Sequence, residues 1–118
     1  MNKTEFITQL RETATVLEPL TKSTLPGARV WDGTSYVKSD GATKIPDPYA
    51  MAWWMTLRTI ASLIEAQDTP VSSQQISYLR SLLFGGMGSL SDLSFRNLDA
   101  INSQLKDKRN SLFASLGN

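Results

Sequence analysis

Apolar residues recur at intervals of three and four along most of this chain, the spacing of one face of an α-helix. Caps and prolines divide the pattern into elements. Asn2 suits the first N-cap, and Pro19 is expected to end the first helix because it lacks an amide hydrogen. Pro48 suits the first position of the second helix, and Ser72 with Gln75 forms a capping-box pattern before the third. The predicted helices lie near residues 3–18, 48–67, 73–84 and 97–115.

The second predicted helix is the most apolar of the four. A helix that is apolar around so much of its circumference is usually central and buried, so we expect it at the middle of the fold. Its tryptophans could line an aromatic pocket, but aromatic residues at this spacing more often belong to the core. The apolar positions are Ala50, Trp53, Trp54, Leu57, Ile60, Ala61, Leu63 and Ile64.

A polar, turn-rich segment separates the first two helices. Pro26-Gly27, Asp32-Gly33 and Asp40-Gly41 are turn signals, and the runs A-R-V-W and T-S-Y-V are expected to form a small hairpin about Asp32-Gly33. The whole pattern predicts an all-α fold. We expect a compact bundle of about four helices, with a long irregular connection between helices one and two, as a single domain over residues 1–118.

Composition narrows the classes of function. The chain is 41% apolar and 19% charged with a net charge of +1, so no basic excess points to direct nucleic-acid binding. It contains no histidine and no cysteine, which excludes Ser-His-Asp and Cys-His catalysis and disulfides within this sequence. We therefore expect no enzyme activity, no cofactor and no bound metal. With no signal-peptide pattern and no membrane-spanning run, the expected location is cytoplasmic, without a membrane partner.

The run F-G-G-M-G-S-L-S-D-L, residues 84–93, places three glycines between two apolar segments. Glycine amides can cradle a phosphate, but a P-loop also needs a lysine that this run lacks. A structural role is favoured, in which one glycine ends the third helix in the left-handed conformation and another permits a second bend. A serine and Asp92 would then cap a short turn. Contact with a partner stays open for the loop residues Gly85, Gly86, Met87, Gly88, Ser89 and Asp92.

This run resembles the hallmark of a family of small, uncharacterised bacterial helical proteins. In that family the sequence G-G-M-G-S is followed by an apolar residue, then by Asn or Ser, and then by Asp. The preceding helix ends in a sequence similar to R-x-L-L-F, here residues 80–84. The resemblance covers the loop itself, with weaker helical similarity around it, and Ser91 stands where asparagine is more frequent. Some such proteins look like immunity proteins of polymorphic toxin systems, including contact-dependent growth inhibition. The resemblance implies a helical fold and a toxin-neutralising role.

The segment between helices one and two is the predicted partner-binding site. Arg29, Trp31 and Tyr36 are of the types that dominate binding energy at interfaces, although the aromatic residues could instead fold back over the helices. Asp32 and Asp40 could face a basic partner such as a nuclease toxin, or could simply serve turns.

The expected function is that of an immunity, antitoxin-like protein that binds a cognate bacterial toxin and occludes its active site. The alternative is a non-catalytic binding protein of another class, such as a phage-encoded inhibitor or an adaptor.

Overall fold

The computed structural model describes residues 1–21, 29–31, 33–38, 48–86, 88–96 and 104–117. These residues form five α-helices, one 3-10 turn and one hairpin, which confirms the predicted all-α bundle. The fourth predicted helix corresponds to the last observed one, and its predicted first turns lie outside the described residues. The elements are α1 Lys3–Leu17, the 3-10 turn Glu18–Thr21, β1 Arg29–Trp31, β2 Tyr36–Lys38, α2 Pro48–Ala66, α3 Ser73–Phe84, α4 Leu90–Arg96 and α5 Gln104–Gly117.

The helix ends follow the predicted capping chemistry. The Asn2 side chain accepts a hydrogen bond from the Glu5 amide at 3.0 Å, which satisfies one of the unpaired donors of the first turn. Ser72 and Gln75 make the full capping box: Ser72 Oγ accepts from the Gln75 amide at 3.1 Å, and the Ser72 amide donates to Gln75 Oε1 at 2.9 Å. Helix α1 ends at Leu17, and the 3-10 turn that follows contains Pro19.

Helix α1 shares the central place that was predicted for the second helix. Helix α1 packs against α2, the 3-10 turn and α5, and Phe6, Leu10 and Leu17 on it are fully buried. Helix α4 packs against α3 and α5 and closes the other side of the bundle. The core is therefore organised around the contact of α1 with α2, and the buried face of α1 follows the predicted spacing.

The wide apolar surface of α2 is divided between core and solvent. Leu57 and Ala61 are fully buried against the rest of the bundle, whereas Met55 and Leu63 are 56% and 66% exposed. The neighbours of α2 are α1, the 3-10 turn and α4, while α3 makes no extensive contact with it among the described elements. One side of α2 is thus covered and the other is not, although both carry apolar residues.

The predicted hairpin is present. Strands β1 and β2 pair antiparallel, with Trp31 opposite Tyr36 and Arg29 opposite Lys38. Gly33 in the connection has a φ of 103°, a conformation that glycine adopts without strain. Within the described chain, the two strands contact each other and make no extensive contact with a helix.

A two-point ion pair joins α1 to α2. Arg11 Nη1 and Nη2 donate to the two carboxylate oxygens of Glu65 at 2.9 and 3.2 Å. This hydrogen bonding, together with the positive charge of Arg11, lowers the pKa of Glu65 below the ordinary glutamate value. Both side chains are largely exposed, so solvent and salt screen the interaction.

Glu65→Gln should lower the melting temperature slightly at neutral pH and leave it unchanged in acid. A carboxyl group with a lowered pKa in the folded state stabilises the fold above its ordinary pKa, about 4.3. That contribution is lost as the pH falls through the lowered pKa of Glu65. Melting curves of both proteins from neutral pH to below pH 4 check this, and high salt should shrink the difference at neutral pH. A difference that widens in acid would contradict the assignment.

In the described part of the chain, no helix combines the length and the apolar character needed to cross a bilayer.

Candidate partner-binding site

The glycine loop joins the end of α3 to the start of α4. Gly85 follows the last helical residue, and its amide donates to the Ser81 carbonyl at 3.1 Å. Gly86 and Gly88 have φ values of 85° and 80°, as the prediction of at least one positive φ required. Two left-handed residues so close together turn the chain sharply between the two helices. Met87 lies outside the described residues.

Gly88 also brings the loop against α2. Its carbonyl accepts a hydrogen bond from Trp53 Nε1 at 2.8 Å, and a β-carbon at Gly88 would lie 3.0 Å from Cε1 of Tyr49. The close approach of backbone to ring favours glycine here, because a β-carbon would force the ring of Tyr49 to shift. The indole N–H of the largely buried Trp53 is therefore satisfied by a carbonyl group 35 residues further along the chain. Sequence spacing gives no signal for this long-range contact.

Ser89 and Asp92 cap the following helix. Ser89 Oγ accepts from the Asp92 amide at 3.2 Å, and Asp92 Oδ2 accepts from the Gly88 amide at 3.1 Å. The two hydrogen bonds of the run S-L-S-D therefore resemble a capping box. They differ from it in that the carboxylate of Asp92 accepts from the amide of Gly88 and not from that of Ser89. This turn was predicted as a short cap, but α4 itself was missed, although a serine three residues before an aspartate is a recognised helix-start pattern.

The capping hydrogen bonds argue against a phosphate bound by the glycine loop. The Gly88 amide, which a bound phosphate would need, already donates to the carboxylate of Asp92. An anion there would have to displace Asp92 and meet its negative charge. The local geometry therefore favours internal bonding of the loop. Whether Gly85 and Gly86, which are exposed, also contact a partner stays a prediction.

The structure brings part of the predicted hairpin site together. Trp31 and Tyr36 are directly paired in the register, and Arg29 lies two residues before Trp31 on the same strand. Residues two apart on a strand share a face, so these three positions and Lys38 belong to one face of the ribbon. Val30 and Val37 belong to the other face, where Val37 is exposed. Asp32 and Asp40 lie outside the described residues.

A second surface was not singled out from the sequence. Arg58 lies over the ring of Trp54 at 4.5 Å from its centroid, beside a depression of about 590 Å³ that Met55 and Leu63 also line. Arginine stacked on tryptophan is a favourable cation–π arrangement. Arg58 follows Trp54 by one helical turn, and this i, i+4 spacing is the signal that could have identified the pair.

No family model, no curated protein and no solved structure matches this chain.

Proposed function

We propose that this chain is an immunity protein, a binding protein that neutralises a cognate bacterial toxin by covering its active site or substrate groove. The proposal joins the resemblance of residues 84–93 to the immunity-like family with the presence of a hairpin suited to protein recognition. No step of this mechanism requires chemistry from the chain, which has neither histidine nor cysteine.

The observation that carries the proposal is the hairpin. Its register groups Arg29, Trp31 and Tyr36 on one face of a two-stranded ribbon. An isolated two-stranded ribbon is at best marginally stable in water, and the described helices do not cover this one extensively. A partner surface laid against it would supply the missing burial. Trp, Tyr and Arg are also the residues most enriched among those that dominate binding energy.

Occlusion would then work through shape and charge. A short ribbon with paired aromatic residues is narrow enough to enter a groove, and its two flanking cations, Arg29 and Lys38, would meet acidic groups at the rim. Asp32 and Asp40, which lie outside the described residues, would meet basic groups, such as those of a nuclease that binds a phosphate backbone. The toxin would lose access to its substrate.

Trp31→Ala should weaken toxin binding by on the order of 2 kcal/mol or more, about thirtyfold, with a smaller effect on folding. Truncating a central aromatic anchor removes a large buried contact in the complex. Trp31 belongs to β1 and not to a helix, and we expect the melting temperature to change little. The protein encoded by the neighbouring gene would be co-purified with the chain. Calorimetry would then give its affinity for each variant, beside the melting temperature of that variant.

Val37→Ala is the matched control because Val37 belongs to the other face of the same ribbon and is exposed. It should keep most of the affinity. Unchanged affinity for both Trp31→Ala and Tyr36→Ala, with lowered melting temperatures, would assign these aromatics to the core and reject the hairpin as the anchor. A neighbouring phage cassette in place of a toxin gene would favour the phage-encoded inhibitor instead.

A further inference from the structure

An aromatic pair lies at the surface where α3 meets α5. The rings of Phe84, the last residue of α3, and Phe113 on α5 meet edge to face, with their centroids 5.3 Å apart. Phe113 nevertheless has 56% of its surface exposed, and Phe84 is only partly buried. Gly85 and Gly86, which follow Phe84, are exposed as well. This contact between the two helices therefore presents aromatic surface that a partner could cover.

Positively charged side chains lie at both ends of the aromatic pair. Arg80 precedes Phe84 by one helical turn, and Arg109 precedes Phe113 by one turn. Arg80 donates to the carbonyl of Leu116 in the last turn of α5. Contact of Arg80 with Leu116 and of Phe84 with Phe113 means that the two helices run antiparallel here. The two arginines are therefore placed at opposite ends of the pair.

These cations are not neutralised by carboxylates in the described part of the chain. Arg109 donates to the neutral amide oxygen of the next residue at 3.3 and 3.0 Å, and Lys106, one turn before Arg109, forms no ion pair with a described residue. The acceptor of Arg80 is the end of a helix dipole, which carries only about half of a unit charge. The one carboxylate in the sequences of α3 and α5, Asp107, lies about 120° around α5 from Phe113.

We propose that this surface, the α3–α5 seam, binds an acidic segment of a partner protein in which carboxylates flank an apolar side chain. The inference does not rest on the toxin-neutralising function. The apolar side chain would cover the two rings, and the carboxylates would pair with the cations. A guanidinium group suits this role because it binds a carboxylate through two parallel hydrogen bonds. The residues of the seam are Arg80, Phe84, Lys106, Arg109 and Phe113.

The charge of the seam favours an acidic partner over a second copy of the chain. A twofold contact would bring the same cations of two copies together, and like charges would repel. An acidic segment instead gains an attractive interaction with each cation, and this attraction also speeds its encounter with the surface. Two carboxylates on adjoining helices are already engaged: Asp92 accepts from the amide of Gly88, and Glu12 pairs with Lys108.

The geometry of the rings favours a peptide over a nucleic acid. Bases stack on the open face of an aromatic ring. In the seam the two ring planes lie at 79° to each other, so that the edge of one ring covers the face of the other. An apolar side chain needs no stacking plane and can contact both rings at once. The net charge of the chain is only +1, which gives little long-range attraction for a polyanion.

A peptide titration followed by NMR tests the seam directly. The probe is an acetylated and amidated heptapeptide, with one tryptophan flanked by two glutamates on each side and a serine at each end. We expect a dissociation constant of roughly 0.1–1 mM, because so short a peptide buries little surface. The amide resonances of residues 80–86 and 106–116 should shift most.

Phe113→Ala and Arg109→Gln should each weaken peptide binding at least about fivefold, since one removes the apolar contact and the other a charge. Two matched controls make the same changes away from the seam. Lys108→Gln alters the neighbouring cation of α5, which pairs with Glu12. Tyr78→Ala removes an exposed ring about 120° around α3 from the last residue of that helix. Both controls should keep the affinity, and circular dichroism melts should show that all four variants fold.

The outcomes distinguish the possible occupants. Shifts confined to the seam, with affinity lost in the two seam variants and kept in the two controls, would support the proposal. Absence of seam shifts at several millimolar peptide, or equal affinity in all variants, would overturn it. The same peptide with lysines in place of glutamates should not bind, and equal binding would reject recognition by charge. If an oligouridylate bound the seam more tightly than the acidic peptide, the seam would be a nucleic-acid site and the protein partner would be rejected.

Discussion

Gly88→Val should lower the free energy of unfolding by about 3 kcal/mol, and Gly86→Val by about half as much. Both glycines have positive φ, where a β-branched residue is strained by roughly 1–2 kcal/mol. Only at Gly88 does a side chain also meet an obstacle, because its β-carbon would lie 3.0 Å from the ring of Tyr49, whereas the space at Gly86 is open. Overpacking of this kind adds about 1–3 kcal/mol.

Urea denaturation of the two variants beside the wild type measures this difference. The comparison separates backbone strain, which both variants share, from the close approach to α2, which only Gly88 makes. Equal losses would show that Tyr49 moves aside at little cost. Wild-type stability in both variants would refute the structural role of the loop, and a selective loss of toxin binding in such stable variants would support the contact interpretation.

Leu57→Ala should lower the free energy of unfolding by about 3 kcal/mol, whereas Leu63→Ala should change it by less than about 0.5 kcal/mol. The two leucines lie on the same helix and undergo the same chemical change. Leu57 is fully buried, so its truncation leaves a cavity, whereas Leu63 is 66% exposed. Urea denaturation measures both values. A large loss for Leu63→Ala would mean that this side of α2 is covered in solution.

Local chemistry accounts for the parts of the fold that the sequence predicted well. The cap at Asn2, the capping box at Ser72 and the hairpin about Gly33 depend on residues within a few positions of one another. Their hydrogen bonds and allowed φ values follow from local residue preferences and not from tertiary contacts. The buried face of α1 could also be predicted from the sequence, because a helix with one apolar face has only that face to bury.

The sequence could not show which apolar face of α2 is covered. Periodicity places Leu57 and Leu63 on the same helix, but coverage depends on where other helices pass, and α3 leaves Leu63 in solvent. The contact between Trp53 and Gly88 was hidden for the same reason, since it joins residues far apart along the chain. The hairpin site was predicted as a set of residue types, and the register added the pairing of Trp31 with Tyr36 and of Arg29 with Lys38.

The packing of α1 against α5 joins two helices that are synthesised far apart in time. Ser115 Oγ donates to Gln9 Oε1 across 106 positions of sequence, and Lys108 pairs with Glu12 beside it. At translation rates of about 5–20 residues per second, the ribosome needs roughly 5–20 seconds to add the residues between them. During that interval α1 can associate with α2, but the side that receives α5 has no cover. The nascent chain therefore exposes one apolar side of α1 until α5 emerges. During that interval chaperones can bind α1, and neighbouring chains can associate with it incorrectly.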